Sequence, residues 1–277
     1  MRGTMVLALI PTLAAWLHAA EPDAISNNEQ VVSDELKEIQ EDPSILKRRI
    51  WLDTEWNHFK GGSSEVIPTS AALWSWPVST NQDWGVRIKV PLELHVAGDT
   101  AGDVDKQGLG DIKLAAGTAY RFSESWRAGG GLEMRFPSAT RDDLGNDVWR
   151  LQELGAVAWD ATRWLTINPS TEYNQSVAEE SGGAPQHYLE MYFPVSFILP
   201  RHWSVTPRYR AKIDFENDNR WTNYAKLAVA KQLDDPPIGF SISIEKPFQG
   251  GGTKEFQVNF ITTYYFHLAE HRTAEAR

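Results

Sequence analysis

From residue 84 to residue 96 apolar and polar side chains alternate without interruption. Trp84, Val86, Ile88, Val90, Leu92, Leu94 and Val96 fall on one face; Gly85, Arg87, Lys89, Pro91, Glu93 and His95 fall on the other. A period of two marks a strand with two unlike faces. The run is 13 residues long, against about five or six for an ordinary strand. The same alternation returns at 110–122, 203–215, 238–248 and 256–266. Extended along the chain, the pattern predicts twelve strands, near 50–59, 70–78, 84–97, 108–122, 126–136, 149–160, 164–175, 186–199, 203–216, 221–233, 238–249 and 255–266. The facing of 149–160 stays open, because Glu153 shares a face with Leu151 and Val157. A strand of about 12 residues is roughly 40 Å long, and tilted by about 40° it spans roughly 30 Å, the thickness of a bilayer core.

The connections alternate as well. Residues 78–83, 123–125, 161–163, 200–202 and 234–237 are short turns, whereas 98–107, 137–148, 176–185, 217–220 and 250–254 are mostly longer and rich in Gly, Asp, Asn and Ser. Short turns on one rim and long loops on the other are the arrangement of an outer-membrane barrel. Tryptophan marks both rims. Trp84, Trp126, Trp164 and Trp203 each open a strand after a short turn, and Trp149 and Trp221 open strands after long loops. Two such rings are the membrane-interface girdles of a barrel, with the indole ring in lipid and its N–H in water. The pattern therefore predicts an all-β fold, a transmembrane antiparallel β-barrel of about 12 strands. A soluble barrel also alternates, but strand length, loop asymmetry and the girdles favour insertion in lipid.

Composition narrows the field further. The chain of 277 residues carries a formal net charge of −10, no cysteine and 42% hydrophobic residues. It has no mature run of about 20 apolar residues for a membrane helix, and no thiol for a disulfide or a cysteine zinc site. Its hydrophobic content argues against disorder, and its acidity against binding nucleic acid. At the N-terminus, Arg2 followed by the apolar stretch Met5–Trp16 reads as a signal peptide, residues 1–20, with cleavage near Ala19 or Ala20. Export to the outer membrane with a cleaved signal follows. Residues 21–49 hold eight acids and four bases without an aromatic residue, and read as an acidic, partly helical extension with Ser33 capping a short helix; a solvated linker is the expectation, and a plug or partner-binding role the alternative. The barrel occupies 50–266 and a polar tail 267–277.

One set of residues resembles a known family. Gly108-Leu109-Gly110-Asp111-Ile112 opens a strand that runs on through Ala116-Gly117-Thr118-Ala119-Tyr120-Arg121-Phe122, and Phe136-Pro137 closes the next. This order resembles the outer-membrane transporter family of the meta-cleavage pathway of phenol degradation. The resemblance implies a twelve-stranded-type outer-membrane protein that passes hydrophobic or aromatic compounds. The chain departs from the family at Pro137-Ser138-Ala139-Thr140 and in its tail after Phe266.

If the apolar faces meet lipid, the other faces line the lumen. That inward set includes Arg87, Lys89, Glu93, Asp111, Lys113, Arg121, Arg127, Glu133, Arg135, Glu172, Glu190, Arg208, Arg210, Lys212, Asp214, Lys226 and Glu245, ten bases against seven acids. Charges of both signs can pair and fill a narrow lumen, or leave a cationic channel that favours anions such as aromatic carboxylates. The expected partners are membrane lipid and a small solute, with no cofactor and no metal. Asp99, Asp103 and Asp105 lack the acid that completes an EF-hand loop. A packed lumen serving a lipid-processing enzyme or a scaffold is the alternative. An enzyme would use a rim pair such as His95 with Asp99, or His187 with Ser176, but no Gly-x-Ser-x-Gly elbow accompanies either.

Overall fold

The computed structural model describes residues 42–96, 106–179 and 183–266. The signal segment, the helix expected near Ser33 and the tail at 267–277 lie outside them. The strands are β1 (Arg49–Phe59), β2 (Ser64–Ser79), β3 (Gln82–Val96), β4 (Lys106–Leu109), β5 (Lys113–Arg121), β6 (Trp126–Arg135), β7 (Val148–Thr162), β8 (Leu165–Ile167), β9 (Ser170–Glu179), β10 (His187–Leu199), β11 (Trp203–Asp214), β12 (Arg220–Gln232), β13 (Ile238–Gln249) and β14 (Lys254–Tyr265). Neighbours in the sheet pair antiparallel, and β14 returns to pair with β1, from Arg49 opposite Tyr265 to Phe59 opposite Lys254. The sheet is closed and leaves no edge. β4 and β5 form one stave, interrupted at Gly110-Asp111-Ile112; β8 and β9 form another, interrupted at Asn168-Pro169. Counted as staves, the barrel has twelve.

Register decides which way each side chain points. Trp126 opposite Trp159 and Leu132 opposite Glu153 share the outer face, whereas Glu133 opposite Gln152 and Arg135 opposite Arg150 share the inner one. The open question about the 149–160 strand is thereby answered: Arg150 points inward and Glu153 points out. The strands expected near 50–59 and 70–78 become full staves of 11 and 16 residues.

Exposure is inverted relative to a water-soluble protein. Phe122 is 66% exposed, Phe248 63% and Trp74 55%, while the fully enclosed side chains include Arg127, Gln232, Asn174, Thr166 and Asp111. An apolar surface of this extent belongs against lipid, and a closed ladder satisfies the backbone polar groups that lipid cannot. Among the described residues no helix is long and apolar enough to cross a membrane; the strands do so. All six girdle tryptophans are outward and exposed. Neighbouring rings thicken both belts. Trp159 stacks on Trp126 at 5.8 Å and Phe197 on Trp164 at 6.3 Å at the turn rim, and Phe136 meets Trp149 edge-on at 5.2 Å at the loop rim.

Candidate functional site

The inner wall is built from polar pairs that reach across strands. Arg87 on β3 donates to Glu133 on β6 at 2.7 Å, passing over the small side chain of Ala115 between them. Arg210 on β11 is held between Glu190 (2.8 Å) and Glu245, and lies 3.8 Å from the Tyr224 ring centroid. Tyr192 donates to Glu190 at 2.8 Å and its ring is covered by Arg208 at 5.3 Å. On this side, Arg208, Lys226 and Glu245 form one cross-strand row. Enclosed ions need both a counter-charge and hydrogen bonds, and here acids and bases of neighbouring staves supply them.

The wall formed by β3, β5, β6 and β7 differs. Lys89 lies opposite Lys113, Lys113 opposite Arg135, and Arg135 opposite Arg150. Four cations thus sit side by side on four consecutive staves, all facing inward. Arg150 donates to Gln186 at 2.9 Å and to the Tyr188 hydroxyl at 2.7 Å. The other face of the contact holds Lys212, whose Nζ is 3.8 Å from the Tyr188 ring centroid. Tyr188 therefore joins the row to β11. Such a wall lowers the energy of an anion and raises that of a cation.

Two segments enter the lumen from opposite rims. At the loop rim, residues 136–147 fold inward over the Gly108–Ile112 stretch. Asp111, fully buried, accepts from Arg135 Nε (3.0 Å), Ser138 N (3.2 Å), Ala139 N (3.2 Å) and Asn146 N (3.0 Å). Gly108 gives this loop its seat: a Cβ there would lie 2.3 Å from Thr140 Oγ1 and 2.7 Å from Leu144 Cδ1. The motif that carries the family resemblance is thus a loop clamp.

At the turn rim, residues 42–48 pass along the inner wall before β1 begins. Asp42, Ser44 and Ile45 are buried. Arg127, itself 2% exposed, donates to Asp42 at 3.2 Å, to Ser44 Oγ at 3.3 Å and to Asp160. Pro43 and Ser44 lie so close to β6 that a Cβ on Gly129 would be 2.2 Å from the Pro43 carbonyl oxygen. The expectation of a solvated linker fails for this stretch, because a guanidinium and a Cβ-free strand surface form a seat for it.

Several sequence candidates take a different role from the one expected. Asp111 and Arg127 point inward but are covered, by the 136–147 loop and by residues 42–44 respectively. Glu93 lies against the backbone of Gly110, Arg121 sits opposite Arg127 near the turn rim, and Asp214 caps the following turn through Glu216 N and Asn217 Nδ2. Ser176 and His187 do not assemble a rim pair. Ser176 faces inward with Arg150, whereas His187 is outward, bonded through Nε2 to the Tyr173 hydroxyl at 2.7 Å and packed on Phe215. Asp99, Asp103 and Asp105 lie outside the described residues, and among the described residues no group of acids, histidines or cysteines could hold a metal ion. Arg150, Tyr188, Asp42 and Asp160 were absent from the sequence-derived set. Arg150 could have been found from its cross-strand neighbours had the facing of β7 been known.

No family model matches the chain, and no curated protein matches it. Solved structures share its fold. The COG4313 outer membrane channel from Pseudomonas putida F1 is similar at a TM-score of 0.69 and 12% identity, over 80% of this chain and 96% of that one. The translocator domain of the autotransporter NalP from Neisseria meningitidis is similar at 0.54 and 10% identity, over 94% and 100%. The KdgM porin, also solved in complex with disordered oligogalacturonate, is similar at 0.53 and 8% identity, over 79% and 99%. At these identities the likeness is one of fold: a closed, twelve-stave membrane barrel.

Proposed function

We propose that the protein is an outer-membrane channel for small anionic solutes. The observation that carries this reading is the inward row Lys89, Lys113, Arg135 and Arg150, a stretch of wall where the barrel presents charge rather than a packed apolar core. The similar folds support it, since two of them are a channel and a porin. The family resemblance at Gly108–Phe122 adds aromatic acids to the solutes to be tested, and the acidic oligosaccharide in the KdgM complex is a solute of the same charge.

Reconstituted in a planar bilayer under a salt gradient, the protein is expected to show a reversal potential of the sign that anion preference gives. Lys89→Glu with Lys113→Glu should weaken or invert it, and high salt should blunt it through screening. Cation preference in the unmodified protein refutes the reading. The enclosure of Asp42, Ser44 and Ile45 favours a second one, a barrel whose turn-rim half is filled. Absence of conductance, with no uptake of benzoate into liposomes, selects that packed barrel instead.

A further inference from the structure

We propose that the Lys89–Lys113–Arg135–Arg150 row is a binding subsite for the oxyanion head, carboxylate or phosphate, of a small organic solute. The proposal deepens the channel reading and rests on it for how the solute arrives.

Like charges directly opposite on neighbouring strands are destabilising. This row repeats that arrangement three times in succession. The described residues offset it only in part. Arg135 has Asp111 at 3.0 Å. Arg150 has only the neutral oxygens of Gln186 and Tyr188, and its Nε, in a side chain 7% exposed, has no acceptor. Glu133, bonded to Arg87 at 2.7 Å, also feels the charges of Lys89 and Lys113, so one carboxylate is shared among three bases. Lys89 and Lys113 make no ion pair within 4.0 Å among the described residues. Donors and positive charge therefore exceed acceptors on one strip of wall, which is the complement of an oxyanion.

The strip is also held in position. Its four members are fixed by ladder hydrogen bonds on adjacent staves, not on loops. Tyr188 braces Arg150 from the far side with Lys212 on its ring. Neighbouring staves are about 4.8 Å apart, so the row extends roughly 14 Å. A carboxylate can touch two cations at once, and a compact organic anion can cover two or three.

The test uses full-length protein in detergent at low ionic strength, with saturation-transfer NMR and three probes: benzoate, phenyl phosphate and benzamide. At least one of the two anions is expected to bind, and benzamide is not. The tighter anion identifies the preferred head group. Lys89→Ala and Lys113→Ala should each weaken binding about tenfold, the value of one charged hydrogen bond. Lys231→Ala, at the turn rim on β12, should change nothing; heat-modifiable migration checks that each variant is folded. Benzamide binding as well as the anions, unchanged binding in both row variants, or no anion binding to the unmodified protein would overturn the proposal. Anion-selective conductance without a subsite effect overturns the subsite alone. Binding without conductance overturns the channel and leaves the subsite standing.

Discussion

Replacing Arg127 by Met keeps the length and apolar stem of the side chain and removes its charge. The structure says what that removal leaves behind. Asp42 and Asp160, with side chains 1% and 14% exposed, lose the guanidinium they share, and two carboxylates face each other in an enclosed site. Breaking a buried pair this way costs about 3–5 kcal/mol. The buried Ile45 is one apolar contribution holding residues 42–48 in place, worth about 1.5–3 kcal/mol. The loss equals or exceeds that hold, so the segment should leave its seat. At about 1.4 kcal/mol per power of ten, the docked population should shift by roughly two to three and a half powers of ten. The chain has no cysteine, so Ser44→Cys introduces a unique thiol at a buried position, and its rate of reaction with a maleimide reports undocking. In an otherwise unmodified background the reaction should be slow; with Arg127→Met it should rise at least about a hundredfold, and conductance should rise with it. Asp42→Asn should do much less, because Arg127 then remains paired with Asp160. An unchanged labelling rate in Arg127→Met, or a larger effect from Asp42→Asn, would refute the clasp.

Three further outcomes are expected. Val90→Arg places a cation on the outer face and should cost about 2–4 kcal/mol near the bilayer midplane, whereas Lys89→Ala, one residue away on the inner face, should cost less or stabilise; urea titration in lipid vesicles that returns the reverse order would mean the sidedness is wrong. Gly129→Ala puts a methyl group 2.2 Å from the Pro43 carbonyl oxygen, so it should speed labelling of the same Ser44→Cys thiol while leaving the barrel folded. Asp111→Asn removes the charge that gathers Arg135 and three backbone N–H groups and should cost about 2–3 kcal/mol; limited proteolysis should then cut within 136–147, and a loop as resistant as before would count against the clamp.

The barrel was legible in the sequence because a two-sided wall writes its facing at every second residue. Trp84 through Val96 spells out one complete stave, and tryptophans after short turns mark a height. β7 was not legible in this way, since Glu153 sits on the lipid side and breaks the outward apolar set, and with its facing Arg150 was lost from the lumen list. The seat for residues 42–48 was hidden for another reason. It depends on Gly129 being bare and on Arg127 meeting two acids, Asp42 and Asp160, distant in sequence. No local period records such a meeting. Gly108 and Asp111 were visible as a motif, but only the fold shows that they receive a loop.

The row of four cations has a shape as well as a charge. Neighbouring residues across a sheet lie along the hydrogen-bonding direction, and strands in a membrane barrel are tilted by about 40°, so a cross-strand row must climb as it goes round. Lys89 lies seven positions beyond the start of β3, while Arg150 lies twelve from the end of β7, and the climb is toward the loop rim. Over its roughly 14 Å the row rises about 9 Å and turns through three of twelve staves, a quarter of the circumference. On the proposed channel reading, an anion handed from one cation to the next would follow a spiral ramp in steps of about 5 Å. A compact ion can make that turn without leaving the wall. If the proposed channel passes anions, a long, stiff one would have to straighten across the bore and give up its contacts, and the ramp would sort solutes by shape even where their charges are equal.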